Sequence, residues 1–142
     1  MALTVEAFES IVGAWASRGQ TVARPDEPSV TIEGTDVYEW LDGGHFLAHH
    51  VDVRVAGEQV SVLEVIGEPD GDGLLMRSFD NGGQAGIMRA TLDDTGVWTF
   101  AGETERARLT VAPDGRSMTA RWERRAAGGW EHWMDMEFTR TR

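Results

Sequence analysis

After its first dozen residues the chain is a succession of short runs in which apolar and polar residues alternate. Turn chemistry closes each run: RPDEP at 24–28, DGG at 42–44, AG at 56–57, EPDGDG at 68–73 and DNGG at 80–83. It continues with DDTG at 93–96, AG at 101–102, APDG at 112–115 and AAGG at 126–129. A period of two sends successive side chains to opposite faces of a strand, and turns at intervals of about ten residues join neighbouring antiparallel strands. Only residues 4–12, TVEAFESIV, carry a helical pattern. The chain is therefore predicted to be all-β, a short N-terminal helix followed by a meander of about ten strands forming one domain over residues 1–142. An open sheet of that size leaves two exposed edges, so a closed up-and-down β-barrel is expected. Barrels of this size commonly hold one small ligand.

Alternation also assigns faces. In the stretch GGHFLAHHVDV at 43–53, extended to Val55, one face carries His45, Leu47, His49, Val51, Val53 and Val55. The other carries Phe46, Ala48, His50, Asp52 and Arg54. The apolar face must be the interior, so His49 points in and His50 points out. Turn geometry then proposes neighbours for His49. A two-residue turn at Gly43-Gly44 sets Tyr38 opposite His49 and puts Asp36 and Trp40 on the inward face. A turn at Ala56-Gly57 sets Glu64 opposite His49 from the other side. A four-residue loop at 69–72 sets Arg77 opposite Glu64. The expected result is an interior ladder of Tyr38, His49, Glu64 and Arg77.

Such a ladder has definite chemistry. A carboxylate inside an apolar barrel is costly unless paired, and Glu64 would lie between His49 and Arg77. Glu64 raises the pKa of the histidine and orients its ring, while Tyr38 offers a hydroxyl. Three uses stay open: a self-satisfied polar plug, a seat for the polar end of a ligand, or acid/base catalysis. In the catalytic case His49 is the acid or base, Glu64 orients it, and Tyr38 with Arg77 stabilises charge. The enzyme would be a cofactor-free isomerase, cyclase or hydrolase of a secondary metabolite.

Other candidates are weaker. His132, in GGWEHWMDMEF, shares a face with Met134, Met136 and Phe138, opposite Trp133 and Asp135, but either register against Trp122 is open. A buried His132 is chemically able to bind a haem iron, though a satisfied core histidine is the plainer account. His49 and Glu64 give only two metal ligands and need Asp36 for a third, so no metal and no cofactor is expected. Tryptophans at 15, 40, 98, 122, 130 and 133 pack the core or line an aromatic pocket, Trp40 and Trp133 being the candidates for the second role.

Composition narrows the partners. The formal charge is -11, from 24 acidic and 13 basic residues, so nucleic acid and anionic membranes are repelled. All the basic residues are arginine, which excludes Schiff-base lysine chemistry, and without cysteine there are no disulfides or thiolate metal sites. No basic run precedes a long apolar segment, so a cytoplasmic location is expected. The expected partner is a small, largely hydrophobic molecule. A second copy of the chain (a homodimer) is a further candidate, as is a protein partner met by the acidic surface.

Gly13-Ala14-Trp15 after the short helix resembles the Gly-x-Trp opening of lipocalin-like, or calycin, barrels. In those folds an arginine of the last strand packs over that tryptophan, and Arg140 stands in a fitting place. More broadly, GTDVYEWLDGGHFLAHHVDV, LEVIG, FDNGG and WMD are similar to a little-characterised lipocalin-like family of bacterial proteins described as a domain of unknown function. The likeness runs from residue 8 to 139 and implies a calycin-type barrel without an established reaction. Its motif positions here are Asp36, Tyr38, Glu39, Trp40, His49, Asp52, Glu64, Asp80, Trp133 and Asp135.

Overall fold

The alternating runs become ten antiparallel strands closed on themselves. The computed structural model describes residues 2–142. Strands β1 (Gly13–Thr21), β2 (Thr31–Trp40), β3 (Leu47–Val55), β4 (Glu58–Asp70) and β5 (Gly73–Asp80) form the first half. Strands β6 (Ala85–Leu92), β7 (Val97–Ala101), β8 (Glu105–Val111), β9 (Ser117–Ala126) and β10 (Gly129–Arg140) form the second. Each pairs with the next, and β10 returns to pair with β1, so the sheet has no outer edges. The segment expected to be helical over 4–12 is a 3-10 helix at Val5–Ser10. Short helices often adopt this tighter winding, and this one has only a few residues before β1 begins.

The helix stoppers one end of the barrel. Phe8 is fully buried, its ring 4.3 Å from that of Trp98. Trp15 is also fully buried and donates its indole N–H to the Ile11 carbonyl at 2.9 Å. The Arg140 guanidinium lies 4.2 Å over the Trp15 ring and donates to the carbonyls of Val12 and Ser10. This is the packing that the Gly-x-Trp resemblance implied. Inward-facing Leu47, Ile66, Leu74, Trp98, Leu109 and Met118 are at most 2% exposed. Full burial of each such side chain contributes about 1.5–3 kcal/mol.

Toward the opposite end the inward face loosens. Val51, Val55, Val60, Met88, Trp122 and Met134 are only partly buried. The segment between β1 and β2 lies near that mouth, where Glu27 takes a two-pronged grip from Arg124 of β9.

Two bulges change the expected registers. The β4–β5 turn is two residues long, with Asp70 pairing Gly73, rather than a four-residue loop at 69–72. The register then shifts by one between Ile66 and Glu68. Gly67, at φ +141°, is the extra residue, and a Cβ there would stand 2.7 Å from the His45 carbonyl oxygen. The two departures leave a net slip of one residue, so Glu64 pairs with Ser78 and Arg77 with Val65. A second shift, between His132 and Met134, breaks the alternation of β10.

Candidate functional site

His49 occupies the boundary between the sealed and the loose halves of the barrel. Its register is as expected on both sides: Tyr38 pairs with it on β2 and Glu64 on β4. The ring is gripped at both nitrogens. Nδ1–H donates to Glu64 Oε1 at 2.9 Å, and Nε2–H donates to Asp36 Oδ1 at 2.7 Å. The other oxygen of Asp36 accepts a hydrogen bond from the Ser17 hydroxyl of β1. Tyr38 stacks on the imidazole with centroids 3.8 Å apart and planes 10° from parallel. Ser17, Asp36, His49, Glu64 and Tyr38 are all buried.

Electrostatics follows from that geometry. Burial by itself lowers the histidine pKa and is the largest single influence. The hydrogen bonds and charges of Asp36 and Glu64 together outweigh it and lift His49 from 6.5 to about 9. At neutral pH the ring is thus an imidazolium with both protons committed. Burial, then the Asp36 and Glu64 charges, push the Tyr38 hydroxyl well above its ordinary value, so it stays protonated. Among the described residues that hydroxyl has no hydrogen-bond partner, and neither has Glu64 Oε2. No fully buried side-chain nitrogen or oxygen lacks a partner, so both atoms reach accessible space.

Arg77 does not join this cluster. The one-residue slip turns it to the outer surface, where it bonds Glu68 at 2.8 Å. Ser78, the next residue, takes the place beside Glu64. His132 also differs from the interior option. The β10 bulge separates it from inward-facing Met134, and its Nε2 pairs with Asp135 Oδ1 at 2.8 Å at a half-exposed site. Trp133 lies at that bulge, half-buried, its carbonyl accepting from the Val22 amide. Trp40 faces inward at the sealed end and donates to Glu9 of the helix at 3.2 Å, away from the mouth. His50 points out, half-exposed, 3.3 Å from Glu39.

Ser17 is the member that sequence reasoning passed over. Alternation from Trp15 through Ser17 to Gly19 puts it on the inward face, so its signal was present in β1. Among the described residues no group of three or more histidine, cysteine or carboxylate side chains could hold a metal ion. No helix is long and apolar enough to cross a membrane.

Residues 5–70 match the model of a family described as "Protein of unknown function (DUF1579)". That segment runs from the helix through β4 and contains Ser17, Asp36, Tyr38, His49 and Glu64, in keeping with the resemblance to an uncharacterised family. No curated protein matches the sequence. Among solved structures, Rv2717c from M. tuberculosis superposes with a TM-score of 0.73 at 17% identity, covering 100% of this chain and 99% of that one. An S-type phycobiliprotein lyase, CPES from Guillardia theta, gives 0.70 at 10% identity, covering 99% and 94%. A redesigned β-barrel, mFAP1 bound to DFHBI, gives 0.51 at 10% identity, covering 94% and 98%. At these identities the likeness is one of fold.

Proposed function

We propose that the protein binds a small, largely hydrophobic molecule in the loose half of its barrel, with the polar end of that molecule against the His49 cluster. The observation that carries this is the gradient of burial along the inward face. Leu47, Ile66, Leu74, Trp98, Leu109 and Met118 are nearly completely buried, whereas Val51, Val55, Val60, Trp122 and Met134 toward the mouth are partly exposed, with Ile32 and Val53 between them still buried. Interiors normally pack to crystal-like density. Inward-facing valines and methionines still touching solvent therefore indicate room that an apolar guest would fill. The Tyr38 hydroxyl and Glu64 Oε2 form the polar part of the floor of that room. Two barrels of similar fold support the reading: one is named a phycobiliprotein lyase, the other is a redesigned barrel bound to DFHBI.

The same cluster argues against His49 as a general base. A base needs a free lone pair within reach of its substrate, whereas both nitrogens here donate to carboxylates. His49 serves instead as a fixed cation that keeps two buried carboxylates in place.

Titration with a neutral fluorescent hydrophobic probe, N-phenyl-1-naphthylamine, tests the proposal. The wild-type chain should bind it with saturation, and Val62→Trp, which fills the loose half, should abolish binding without unfolding the protein. Absence of binding by the wild type, or equal binding by a folded Val62→Trp variant, would overturn it.

A further inference from the structure

The wall around the proposed ligand is one-sided in charge. Among the described residues three cationic groups stand on or against the inward face: His49, Arg124 and Arg24, whose guanidinium lies 3.6 Å from Glu131 and donates to the His132 carbonyl. His49 has no free proton to offer, as above. Arg124 is paired with two carboxylates: it grips Glu27 with two hydrogen bonds, of 2.9 and 2.8 Å, and donates its Nε–H to Glu131 at 2.8 Å. Each of these cations already faces a carboxylate, which opposes a carboxylate or phosphate head beside it.

The acceptors are in excess. Glu64, with a side chain only 9% exposed, uses one oxygen on His49 and leaves Oε2 without a protein partner. Glu105 on β8 stands directly opposite Arg124 in the ladder, yet forms no ion pair among the described residues. A second opening lies beside Glu105 and beside Ser78, the ladder partner of Glu64. The first half of β6, residues 85–88, has no partner on β7, whose pairing begins at Arg89. A cleft of about 580 Å³ opens at this seam, walled by Ser78, Gly86, Met88, Glu105 and Arg77, the last paired with Glu68, with exposed Phe79 and Ile87 at its rim. An apolar rim leading to the unpaired carboxylate of Glu105 suits an amphiphile whose head is positive. The overall charge of -11 draws such a molecule in and repels its anionic counterpart.

We infer that the ligand is a hydrophobic cation, a protonated amine on an aliphatic or aromatic body, whose N–H groups bond Glu64 Oε2. This rests on the barrel being a site for hydrophobic molecules, and it excludes fatty-acid-like anions. Hydrogen bonds to charged groups are worth about 1.5–3 kcal/mol, roughly 10- to 100-fold in affinity.

The test is displacement of N-phenyl-1-naphthylamine from the full chain by decylamine, decanol and decanoate, each below its micelle concentration. Decylamine should displace the probe at least roughly tenfold more tightly than decanol, with decanoate weakest. The preference should persist in 0.5 M NaCl, because a buried pair is screened far less than a surface one. In Glu64→Gln, and to a lesser degree in Glu105→Gln, the amine-to-alcohol ratio should fall towards one. If all three compounds displace the probe equally, the cationic class is wrong while the hydrophobic site stands. A preference that vanishes in salt, or survives both substitutions, assigns it to the acidic outer surface and overturns the inference. If the probe itself does not bind, the hydrophobic site falls, and the choice of ligand falls with it.

Discussion

The two ends of this barrel are made of the same strands and serve opposite purposes. At the helix end, Phe8, Trp15, Leu47 and Ile66 are fully buried and Arg140 clamps the tryptophan from below. At the mouth, the same strands carry Val51, Val55, Val60 and Met134, which pack against the core but stay only partly buried. The boundary between them is the Asp36–His49–Glu64 group. A polar layer there ends the apolar stopper: its buried carboxylates are held by His49 and Ser17, and apolar side chains packed over the free Glu64 Oε2 would leave it without a partner. If the mouth is the binding site proposed above, stability and binding are divided along the length of each strand, rather than between strands and loops.

The largest effect expected from breaking this division is at the stopper. Trp98→Ala should cost about 3–5 kcal/mol in urea unfolding, and a loss under 1 kcal/mol would mean that the two ends are not energetically distinct. Next comes the boundary. His49 holds its proton up to about pH 9 when folded but only to about 6.5 when unfolded. Its contribution, about 3 kcal/mol in all, is complete below pH 6.5 and is lost as pH rises through 9. Unfolding of the wild type at pH 6 and 9.5 should show that loss, and His49→Gln should give a flatter profile. Equal slopes in the two proteins would mean that the ring is not held as an imidazolium. Replacing Glu64 by glutamine removes one of its two carboxylates, so the His49 pKa in an NMR titration should fall by at least one unit. A pKa that stays near 9 would leave Asp36 alone as its holder. The smallest effect belongs to the mouth: Val62→Ala should cost about 1 kcal/mol or less, as befits a side chain half in solvent.

Much of this was legible in the chain. Alternation and turn residues give the barrel, and the turns at Gly43-Gly44 and Ala56-Gly57 set Tyr38 and Glu64 on either side of His49. The errors share one physical cause. A bulge adds a residue to one strand, and with a period of two a single residue reverses every face beyond it. Gly67 within β4 was the available signal for the first, and it turned Arg77 out and Ser78 in. The second, around Trp133, carries no glycine or proline, so nothing local marked it, and His132 was left with the wrong neighbours. Asp36 was recognised as inward, but its reach to the far side of the imidazole depends on barrel curvature, which brings diagonal positions together. Flat pairing rules contain no such information.

The ring is closed by the pairing of β1 with β10, and this has a consequence during synthesis. A nascent chain emerging from the ribosome has β1 early, with Trp15 ready to be buried, but the strand that covers its flank and the Arg140 that caps it come last. Until then the growing sheet carries two free edges and an uncovered apolar face, the state most prone to pair with another chain. The barrel can therefore close only once β10 has been made. Translation speed and chaperone supply should govern its yield in cells more strongly than its final stability does.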